Sequence, residues 1–352
     1  MKPIEALLAV FQGPHQPLVF TTRPVPTELG IREVLVSLDL ATICGSDLHT
    51  IDGRRTEPFP SVLGHEAVGR ILALGPGRPD LRVGERVTWS IADSCGCCPA
   101  CTDWDLPQKC ARLFKYGHAP LAELPALSGC YATHLLLRGG TSVVRVPDSL
   151  ADAVVAPANC ALATMVAATE SRPSHCHTAV IQGAGLLGLY ACALLHRAGV
   201  SRVIVTDVDP RRLELVRRFG GEPALESALT LTAAGTADLV IEAAGAPAVV
   251  KEGLDLLRPG GQYTWVGMVH PHSALDLTGE SIIRKCLRIQ GVHNYAPRHL
   301  REGVRFLHAH ATHFPWEQLV SPPFALQDLN RAFAEARAGK WARVSVRPDP
   351  RS

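Results

Sequence analysis

The sequence predicts an α/β protein of two domains, a barrel-like β domain followed by a doubly wound parallel sheet covered by helices. The chain has 352 residues, which is more than one hydrophobic core usually organises. Residues 1–155 are rich in glycine, proline and short β-branched runs, a pattern typical of short strands joined by turns. Residues 156–293 instead repeat the order strand, turn and helix, which is typical of a parallel sheet.

The individual elements follow from hydrophobic periodicity. In the first domain, alternating runs predict strands at 33–38 and 83–89. In the second domain the pattern predicts strands at 178–182, 202–206, 239–243 and 263–267, and helices at 186–198 and 210–219. Residues 294–352 contain a helical stretch at 300–308 and a strand at 342–346, and we expect this segment to fold back onto the first domain.

The composition excludes several classes of function. The chain is 47% hydrophobic and 19% charged with a net charge of +2, so it lacks the strong field that nucleic acids or membrane surfaces require. No apolar run reaches the ~18–20 residues that span a bilayer, and the N-terminus lacks a cleavable apolar core. We therefore expect a cytoplasmic protein. Because the cytosol keeps thiols reduced, the 11 cysteines indicate metal binding rather than disulfides.

A dinucleotide-binding motif follows the first strand of the second domain. Gly183, Gly185 and Gly188 form G-x-G-x-x-G between a predicted strand and a predicted helix, which is the context that the motif requires. Gly183 permits the tight turn, Gly185 lets the backbone approach a pyrophosphate, and Gly188 lets the helix pack closely. With Leu186 and Leu187, these residues form the helix N-terminus, whose free N–H groups bind phosphates. The alternative is an ordinary tight turn.

The end of the next strand predicts the cofactor. Asp207 lies 19 residues after Gly188 and is suited to accept hydrogen bonds from the adenosine ribose hydroxyls. Its charge repels a 2′-phosphate, so the sequence favours NAD over NADP. Arg211 and Arg212 follow closely, and a neighbouring arginine is able to hold a 2′-phosphate. We count Arg212 among the cofactor-binding residues and keep an NADPH-dependent carbonyl reductase as an alternative.

Cys44 and His65 are candidate ligands of a catalytic metal. Catalytic zinc is usually held by three protein groups and keeps an open position for water or substrate. The two residues lie in CGSDLH at 44–49 and GHE at 64–66. A third ligand must come from elsewhere, and the spacing does not choose among the remaining cysteines. Taken singly, a buried cysteine and a hydrogen-bonded loop histidine are the simpler interpretation.

A second group of cysteines has the spacing C-x2-C-x2-C-x8-C and consists of Cys95, Cys98, Cys101 and Cys110. Four thiolates in a short loop are a ligand set of closed, tetrahedral structural zinc sites. Loose surface thiols are the alternative, but exposed thiols oxidise readily. Cys97 breaks the spacing, and we treat it as a bystander.

The chain resembles the zinc-containing medium-chain dehydrogenase/reductase family, which includes the alcohol dehydrogenases, from about residue 33 to the C-terminus. The motifs that carry the resemblance are CGSDLH at 44–49, GHEAVGR at 64–70, GERV at 84–87, the four-cysteine loop, GAGLLG at 183–188 and Asp207. The resemblance implies a GroES-like catalytic domain with one catalytic and one structural zinc, and a Rossmann domain that binds NAD. It places the active site in the cleft between them.

The resemblance also implies roles for individual residues. Cys160 matches the third ligand of the catalytic zinc, and Glu66 matches a glutamate that lies beside the metal. Ser46 matches a relay hydroxyl that passes the substrate proton towards His49, and Asp47 would orient the ligand His65. The last gap of the four-cysteine loop is commonly seven residues in the family and is eight here. Relatives are dimers or tetramers, which implies a homo-dimer or homo-tetramer.

A narrower resemblance concerns LPQKC at 106–110, KYGH at 115–118, LSGCYATH at 127–134 and APANCALAT at 156–164. These segments are similar to a branch of the family associated with phosphonate metabolism, which implies a small hydroxy- or oxo-phosphonate as substrate. We expect Lys115 and His118 to place positive charge near a phosphonate. Solvent-facing loop residues are the alternative for this pair, and a non-catalytic zinc- and nucleotide-binding sensor is the alternative for the whole protein.

Overall fold

The computed structural model describes residues 4–122, 127–275 and 277–348. The chain divides into two compact units. The first comprises Met1–Cys160, Ala296–Ala311 and Trp316–Ser352, and the second comprises Ala161–Tyr295 and Thr312–Pro315. Among the described residues no single helix is long and apolar enough to cross a membrane. One bent pair of helical segments, at 152–159 and 161–170, reaches the necessary length and apolar composition only when the two are taken together.

The elements of the first unit that precede its boundary are β1 (Glu5–Phe11), β2 (Val19–Pro24), β3 (Val34–Ile43), α1 (Gly45–Ile51), β4 (Ser61–Val62), β5 (Glu66–Leu74), β6 (Arg86–Trp89), β7 (Ala92–Asp93), α2 (Pro99–Thr102), β8 (Phe114–Lys115), β9 (His134–Leu137), β10 (Val143–Arg145) and α3 (Asp152–Val155). Short 3-10 turns occur at Pro107–Lys109 and Ala156–Asn159.

The elements of the second unit are α4 (Ala161–Glu170), β11 (Thr178–Gln182), α5 (Leu186–Arg197), β12 (Arg202–Asp207), α6 (Pro210–Leu213), β13 (Glu222–Leu225), β14 (Ala237–Glu242), α7 (Val250–Leu256), β15 (Leu257–Trp265), α8 (Gly279–Arg284) and β16 (Arg288–Gly291). Its 3-10 turns are Val216–Phe219, Ala228–Thr230 and Pro247–Val249. The chain returns to the first unit with α9 (Pro297–Ala309), β17 (Phe324–Ala325), α10 (Leu329–Ala338), β18 (Val344–Arg347) and 3-10 turns at Trp316–Leu319 and Leu326–Asp328.

The main sheet of the first unit runs in the order β10, β6, β5, β3, β18 and β17, and β9 also pairs with β3. β18, the last strand described, is antiparallel to β3, with Val344 opposite Ile43. Side chains such as Val36, Leu38 and Val346 are buried in the core of this unit. The C-terminal strand therefore lies directly beside the strand that leads into α1.

The second unit is built on a parallel sheet with the order β13, β12, β11, β14, β15 and β16. This is the doubly wound order of dinucleotide-binding domains, in which ligands bind at the carboxyl ends of the strands where the order reverses, here between β11 and β14. β14 is buried throughout and β11 nearly so, as expected for central strands of a covered parallel sheet. The predicted α/β class with its parallel sheet is confirmed.

The unit boundaries differ slightly from the predicted ones. The first lies after Cys160 rather than at residue 155, because the 3-10 turn Ala156–Asn159 packs against β3 and β5. The second lies at Ala296 rather than 294. Thr312–Pro315 belongs to the second unit, where Phe314 stacks on Phe219 with ring centroids 5.6 Å apart.

Several predicted elements differ in length from the observed ones. The strand predicted at 83–89 begins only at Arg86, because Gly84 adopts a φ of +87° in the preceding turn. The helix predicted at 210–219 consists of α6 and a separate 3-10 turn. α9 begins earlier than predicted, at Pro297, since proline is favoured in the first helical turn. The pattern did not predict the edge strands β13 and β16, which are short and poorly buried.

Candidate metal centre and cofactor site

Segments distant in sequence bring four potential metal ligands together. The ligand atoms of Cys44, His65, Glu66 and Cys160 all lie within 4.8 Å of one another. Cys44 follows β3 and caps α1, His65 directly precedes β5, and Cys160 follows a 3-10 turn. Cys44, His65 and Glu66 are buried. The structure thus brings together the two candidate ligands indicated by the residues and the third candidate implied by the family resemblance.

The electrostatics of this group favour a thiolate. The pKa of Cys44 is held well below its usual range by a hydrogen bond from Cys160 and by the positive charge of Arg343 and His65, which outweigh burial. The pKa of Cys160 is raised by its hydrogen bond with Cys44 and by burial. Metal binding displaces thiol protons, and two thiolates with one imidazole suit the borderline-soft character of zinc. The donor set therefore fits a zinc ion.

Asp47 lies beside the imidazole of His65. Asp47 Oδ1 lies 3.6 Å from His65 Nδ1, so the other ring nitrogen is available to a metal. The carboxylate is itself fixed, because Oδ2 accepts hydrogen bonds from the Tyr131 hydroxyl at 2.8 Å and the Cys44 backbone N–H at 3.0 Å. Burial lowers the pKa of His65, but the charges and hydrogen bonds of Asp47 and Cys44 outweigh it and raise the pKa to about 10.

Glu66 is paired with an arginine from the last strand. Arg343 Nε lies 2.9 Å from Glu66 Oε2 and Arg343 Nη2 lies 3.1 Å from Oε1, while the Thr42 hydroxyl donates to Oε2 at 2.6 Å. Burial raises the pKa of Glu66 to about 7 against the opposing charge of Arg343. Sequence reasoning missed Arg343, because it lies 277 residues from Glu66 and no local motif marks it.

Asn159 positions the segment that carries Cys160. Its side-chain amide donates hydrogen bonds to the backbone carbonyls of His65 and Trp89, both at 3.0 Å. Asn159 is fully buried and has the only amide side chain in residues 157–163. Its hydrogen bonds connect this segment to the segment that contains His65. The presence of an amide in an apolar run was the available sequence signal for this role.

A charged network lies beside His65. The rings of His118 and His65 have centroids 5.3 Å apart. Glu57 Oε1 lies 2.9 Å from His118 Nδ1 and 2.7 Å from Arg55 Nε. Lys115 is half-buried, and among the described residues it has no direct ion-pair partner. Sequence reasoning missed Arg55 and Glu57, since neither belongs to a recognisable motif.

His118 differs from the prediction that it carries positive charge. Burial lowers its pKa to about 4, despite the hydrogen bond with Glu57. With Nδ1 paired to a carboxylate, the neutral ring carries its proton on Nδ1 and presents Nε2 as an acceptor. That Nε2 is buried and has no hydrogen-bond partner among the residues that the structure describes. The positive charge in this region therefore belongs to Lys115 and Arg55.

The four-cysteine loop forms a second group of candidate ligands. The sulfurs of Cys95, Cys98, Cys101 and Cys110 lie within 4.8 Å of one another, and Cys98 Sγ is 3.5 Å from Cys101 Sγ and 3.8 Å from Cys110 Sγ. A backbone hydrogen bond from Cys97 is the main reason that the pKa of Cys95 falls to about 5. Four convergent thiols with a ready thiolate fit a closed zinc site.

The additional residue of this loop does not displace Cys110 from the group. Asp105 takes a φ of +52° between α2 and the 3-10 turn, and the neighbouring Trp104 side chain is exposed. Cys97 is exposed and lies outside the four-sulfur group, with its Sγ 2.9 Å from Arg112 Nη2.

The glycine-rich loop has the geometry that its motif predicts. Gly183 has a φ of +109°, and a Cβ on Gly188 would lie 1.8 Å from the carbonyl oxygen of Gly183. A Cβ on Gly185 would meet nothing within 4 Å, which leaves the N-terminus of α5 open. Leu186 and Leu187 form the first turn of this helix. The loop therefore presents a free helix N-terminus of the kind that binds phosphate groups.

Asp207 lies at the end of β12, beside this loop. Its Oδ2 accepts a hydrogen bond from the Ala184 N–H at 2.9 Å, and its Oδ1 accepts one from the Asp209 N–H at 2.9 Å. Arg212 Nη1 lies 3.7 Å from Oδ2. The carboxylate is thus fixed next to the backbone that would hold the pyrophosphate.

The predicted relay residues lie on α1. Ser46 and His49 are both half-buried and are three residues apart, so they share a face of the helix that begins after Cys44. Their role in proton transfer stays a prediction.

Comparisons with known proteins match both parts of the chain. A family model described as the alcohol dehydrogenase GroES-like domain matches residues 30–148, and one described as zinc-binding dehydrogenase matches residues 187–309. The chain belongs to the zinc-binding alcohol dehydrogenase family. The predicted GroES-like domain and the predicted family are thereby confirmed, and the narrower phosphonate-associated branch stays a prediction.

Relatives of this dehydrogenase act on varied alcohols. This chain is 28% identical to 5-exo-hydroxycamphor dehydrogenase of Pseudomonas putida over 87% of its own length and 89% of the relative. It is 29% identical to sorbitol dehydrogenase of Bacillus subtilis over 90% of this chain and 89% of the relative. An alcohol dehydrogenase structure from Thermotoga maritima superposes with a TM-score of 0.90 and 28% identity, covering 98% of this chain and 100% of that chain. The dehydrogenase is thus an oxidoreductase of the alcohol dehydrogenase type.

Proposed function

We propose that this protein is a zinc-dependent alcohol dehydrogenase that transfers a hydride reversibly between a small alcohol or carbonyl compound and NAD(H). The observation that carries the proposal is the convergence of Cys44, His65 and Cys160, whose ligand atoms lie close enough for one metal ion. Zinc held there supplies Lewis acidity, which favours loss of an alcohol proton near neutral pH.

The chain's own residues handle the proton and support the ligands. Ser46 accepts the proton from the substrate side and His49, on the same face of α1, passes it towards solvent. Asp47 holds His65 in one orientation. Arg343 neutralises Glu66, so the buried carboxylate stays beside the ligands without adding an unpaired negative charge.

NAD is the proposed hydride carrier. The N-terminus of α5 supports binding of the pyrophosphate, with Gly183, Gly185, Leu186, Leu187 and Gly188 forming the surrounding loop. The fixed carboxylate of Asp207 supports hydrogen bonding to the ribose hydroxyls and repulsion of a 2′-phosphate. Arg212 would flank the adenosine.

We propose further that the substrate is a small hydroxy- or oxo-phosphonate. Support comes from Lys115, a half-buried cation for which the described part of the chain supplies no direct ion pair, and whose pKa is lowered by burial and by Arg55. A bound oxyanion would relieve the cost of holding this charge away from water. His118 Nε2 lies in the same network and is able to accept a hydrogen bond from a substrate hydroxyl.

The second zinc is proposed for the four-cysteine loop, where it would stabilise the loop rather than take part in chemistry. Ligands that must be thiolates fit the proposed cytoplasmic location, which keeps cysteines reduced. A homo-dimer or homo-tetramer is also proposed, because the edge strand β16 and the adjacent α8 expose apolar side chains such as Ile289 and Ile283, which are 37% and 75% exposed.

An NAD(H)-coupled screen with zinc quantification tests the function. The panel contains alcohols, polyols, aldehydes and hydroxyphosphonates, each phosphonate paired with a neutral alcohol of the same carbon chain. We expect turnover with NAD and two zinc ions per chain. NADH binding without turnover on any member would favour the sensor, and a higher kcat/KM with NADP would contradict the cofactor assignment.

The Lys115→Met variant tests the substrate class in the same assay. We expect kcat/KM for the phosphonate to fall ~10–100-fold, because a hydrogen bond to a charged group is lost, and the neutral alcohol to respond far less. Lys340→Met, at an exposed position, is the matched control. Equal losses for charged and neutral substrates would exclude an oxyanion contact at Lys115.

A further inference from the structure

The turn after β12 contains an arginine that is already engaged. Arg211 Nε lies 3.0 Å from Asp209 Oδ1, and Arg211 Nη2 lies 2.7 Å from Asp209 Oδ2, so the guanidinium and the carboxylate form two parallel hydrogen bonds. Asp209 Oδ1 also accepts a hydrogen bond from the Arg211 N–H at 3.0 Å and caps α6. The hydrogen bond with Arg211 is the main reason that the pKa of Asp209 falls to about 2.

This pair lies next to the proposed adenosine ribose site. Asp207 Oδ1 accepts the hydrogen bond from the Asp209 N–H, and Asp207 Oδ2 accepts one from Ala184 in the glycine-rich loop. The backbone N–H of Asp209 thus hydrogen-bonds directly to the carboxylate that would contact the ribose. Arg212 lies 3.7 Å from Asp207 and is also directed towards a carboxylate. Both arginines of the turn therefore face acidic groups in the structure.

We propose that Asp209 is a cofactor-specificity residue that disfavours NADP by holding Arg211 away from a 2′-phosphate. The proposal rests on the proposed NAD site and extends it from Asp207 to a second acidic residue. A 2′-phosphate is recognised best by an arginine that presents its planar donors to the oxyanion. Here those donors are directed to Asp209, and the Asp209 carboxylate adds a second negative charge in the same turn.

The exposure of the pair limits the size of the effect. The side chain of Arg211 is 70% exposed and that of Asp209 22%, so water and salt weaken their attraction. Asp207 remains the stronger determinant, because its carboxylate lies against the glycine-rich loop. We therefore expect removal of the Asp209 carboxylate to improve NADPH binding relative to NADH by ~3–10-fold, and by less at high salt.

The Asp209→Ser variant is the sharpest test. Serine keeps a side-chain oxygen that caps α6, but it cannot bind the guanidinium through two parallel hydrogen bonds. The dissociation constants of NADH and NADPH are measured by nicotinamide fluorescence on the full chain, a readout that needs neither substrate nor turnover. The expected result is a ~3–10-fold fall in the ratio of the NADPH constant to the NADH constant.

A second variant distinguishes the effect of releasing Arg211 from the effect of removing the negative charge of Asp209. In Asp209→Ser/Arg211→Ala, the ratio should return most of the way to the wild-type value, because the gain depends on Arg211. An unchanged ratio in Asp209→Ser, or an equal gain in the double variant, would overturn the proposal. Failure of the wild-type protein to bind either dinucleotide would instead overturn the proposed cofactor site itself, so the two failures are distinguishable.

Discussion

The two groups of candidate metal ligands are built in opposite ways. The four thiols of the loop come from one stretch, 95–110, and most of them are partly exposed. The candidate ligands Cys44, His65 and Cys160 come from distant segments and are surrounded by buried hydrogen bonds and an ion pair with a buried carboxylate. The loop is held mainly by local backbone hydrogen bonds and contributes no side chain to the core cluster of the first unit, whereas that core supports the buried centre. Loss of metal should therefore affect stability in the loop and chemistry at the centre.

The largest expected effect is on turnover at the buried centre. Cys44→Ser should lower kcat/KM by ~10³-fold or more, because the Lewis acid contributes several kcal/mol of transition-state stabilisation. NADH should still bind, since its proposed site lies in the other unit. Steady-state kinetics, zinc content and NADH fluorescence measure the three quantities. Cys286→Ser, at an exposed cysteine outside both groups, is the control. Full turnover in Cys44→Ser after loss of this zinc would end the catalytic assignment.

The next effect concerns the support of the buried centre. Arg343→Ala should lower the free energy of unfolding by about 3–5 kcal/mol, because it leaves Glu66 without its counter-charge in a buried position. Urea denaturation measures the change. Arg337→Ala removes the more exposed ion pair with Asp52 and should cost about 0–1 kcal/mol. Similar losses in the two variants would show that the centre is no better supported than the surface.

The smallest expected effect lies in the four-cysteine loop. Cys98→Ser should remove one zinc per chain and lower Tm by about 3–6 °C. In a large domain this shift corresponds to a loss of about 1.5 kcal/mol in the free energy of unfolding. At temperatures below the melting transition, kcat should change little. Calorimetry and zinc analysis measure both quantities. Cys97→Ser changes a thiol of the same loop outside the four-sulfur group and is the matched control. Equal melting and zinc content in the two variants would contradict a structural zinc at this loop.

Prediction from the sequence worked best where a few neighbouring residues determine the geometry. The glycines at 183, 185 and 188 occupy a turn whose close approaches exclude side chains, so the motif and its structure correspond directly. The edge strands β13 and β16 lack an apolar pattern and were missed for that reason. His118 shows a further limit, because its charge depends on burial and on Glu57, which lies 61 residues away.

Local sequence patterns in this chain thus determine the α/β class and the glycine-rich loop, and they identify the candidate cysteines and histidine. They suffice for these features because steric and ligand requirements act over a few residues. The positions of Arg343, Glu57 and Asn159 beside those candidates follow only from the fold. Strand pairing and burial bring such residues together across large sequence separations, and a buried charge takes its properties from whichever neighbours the packing supplies.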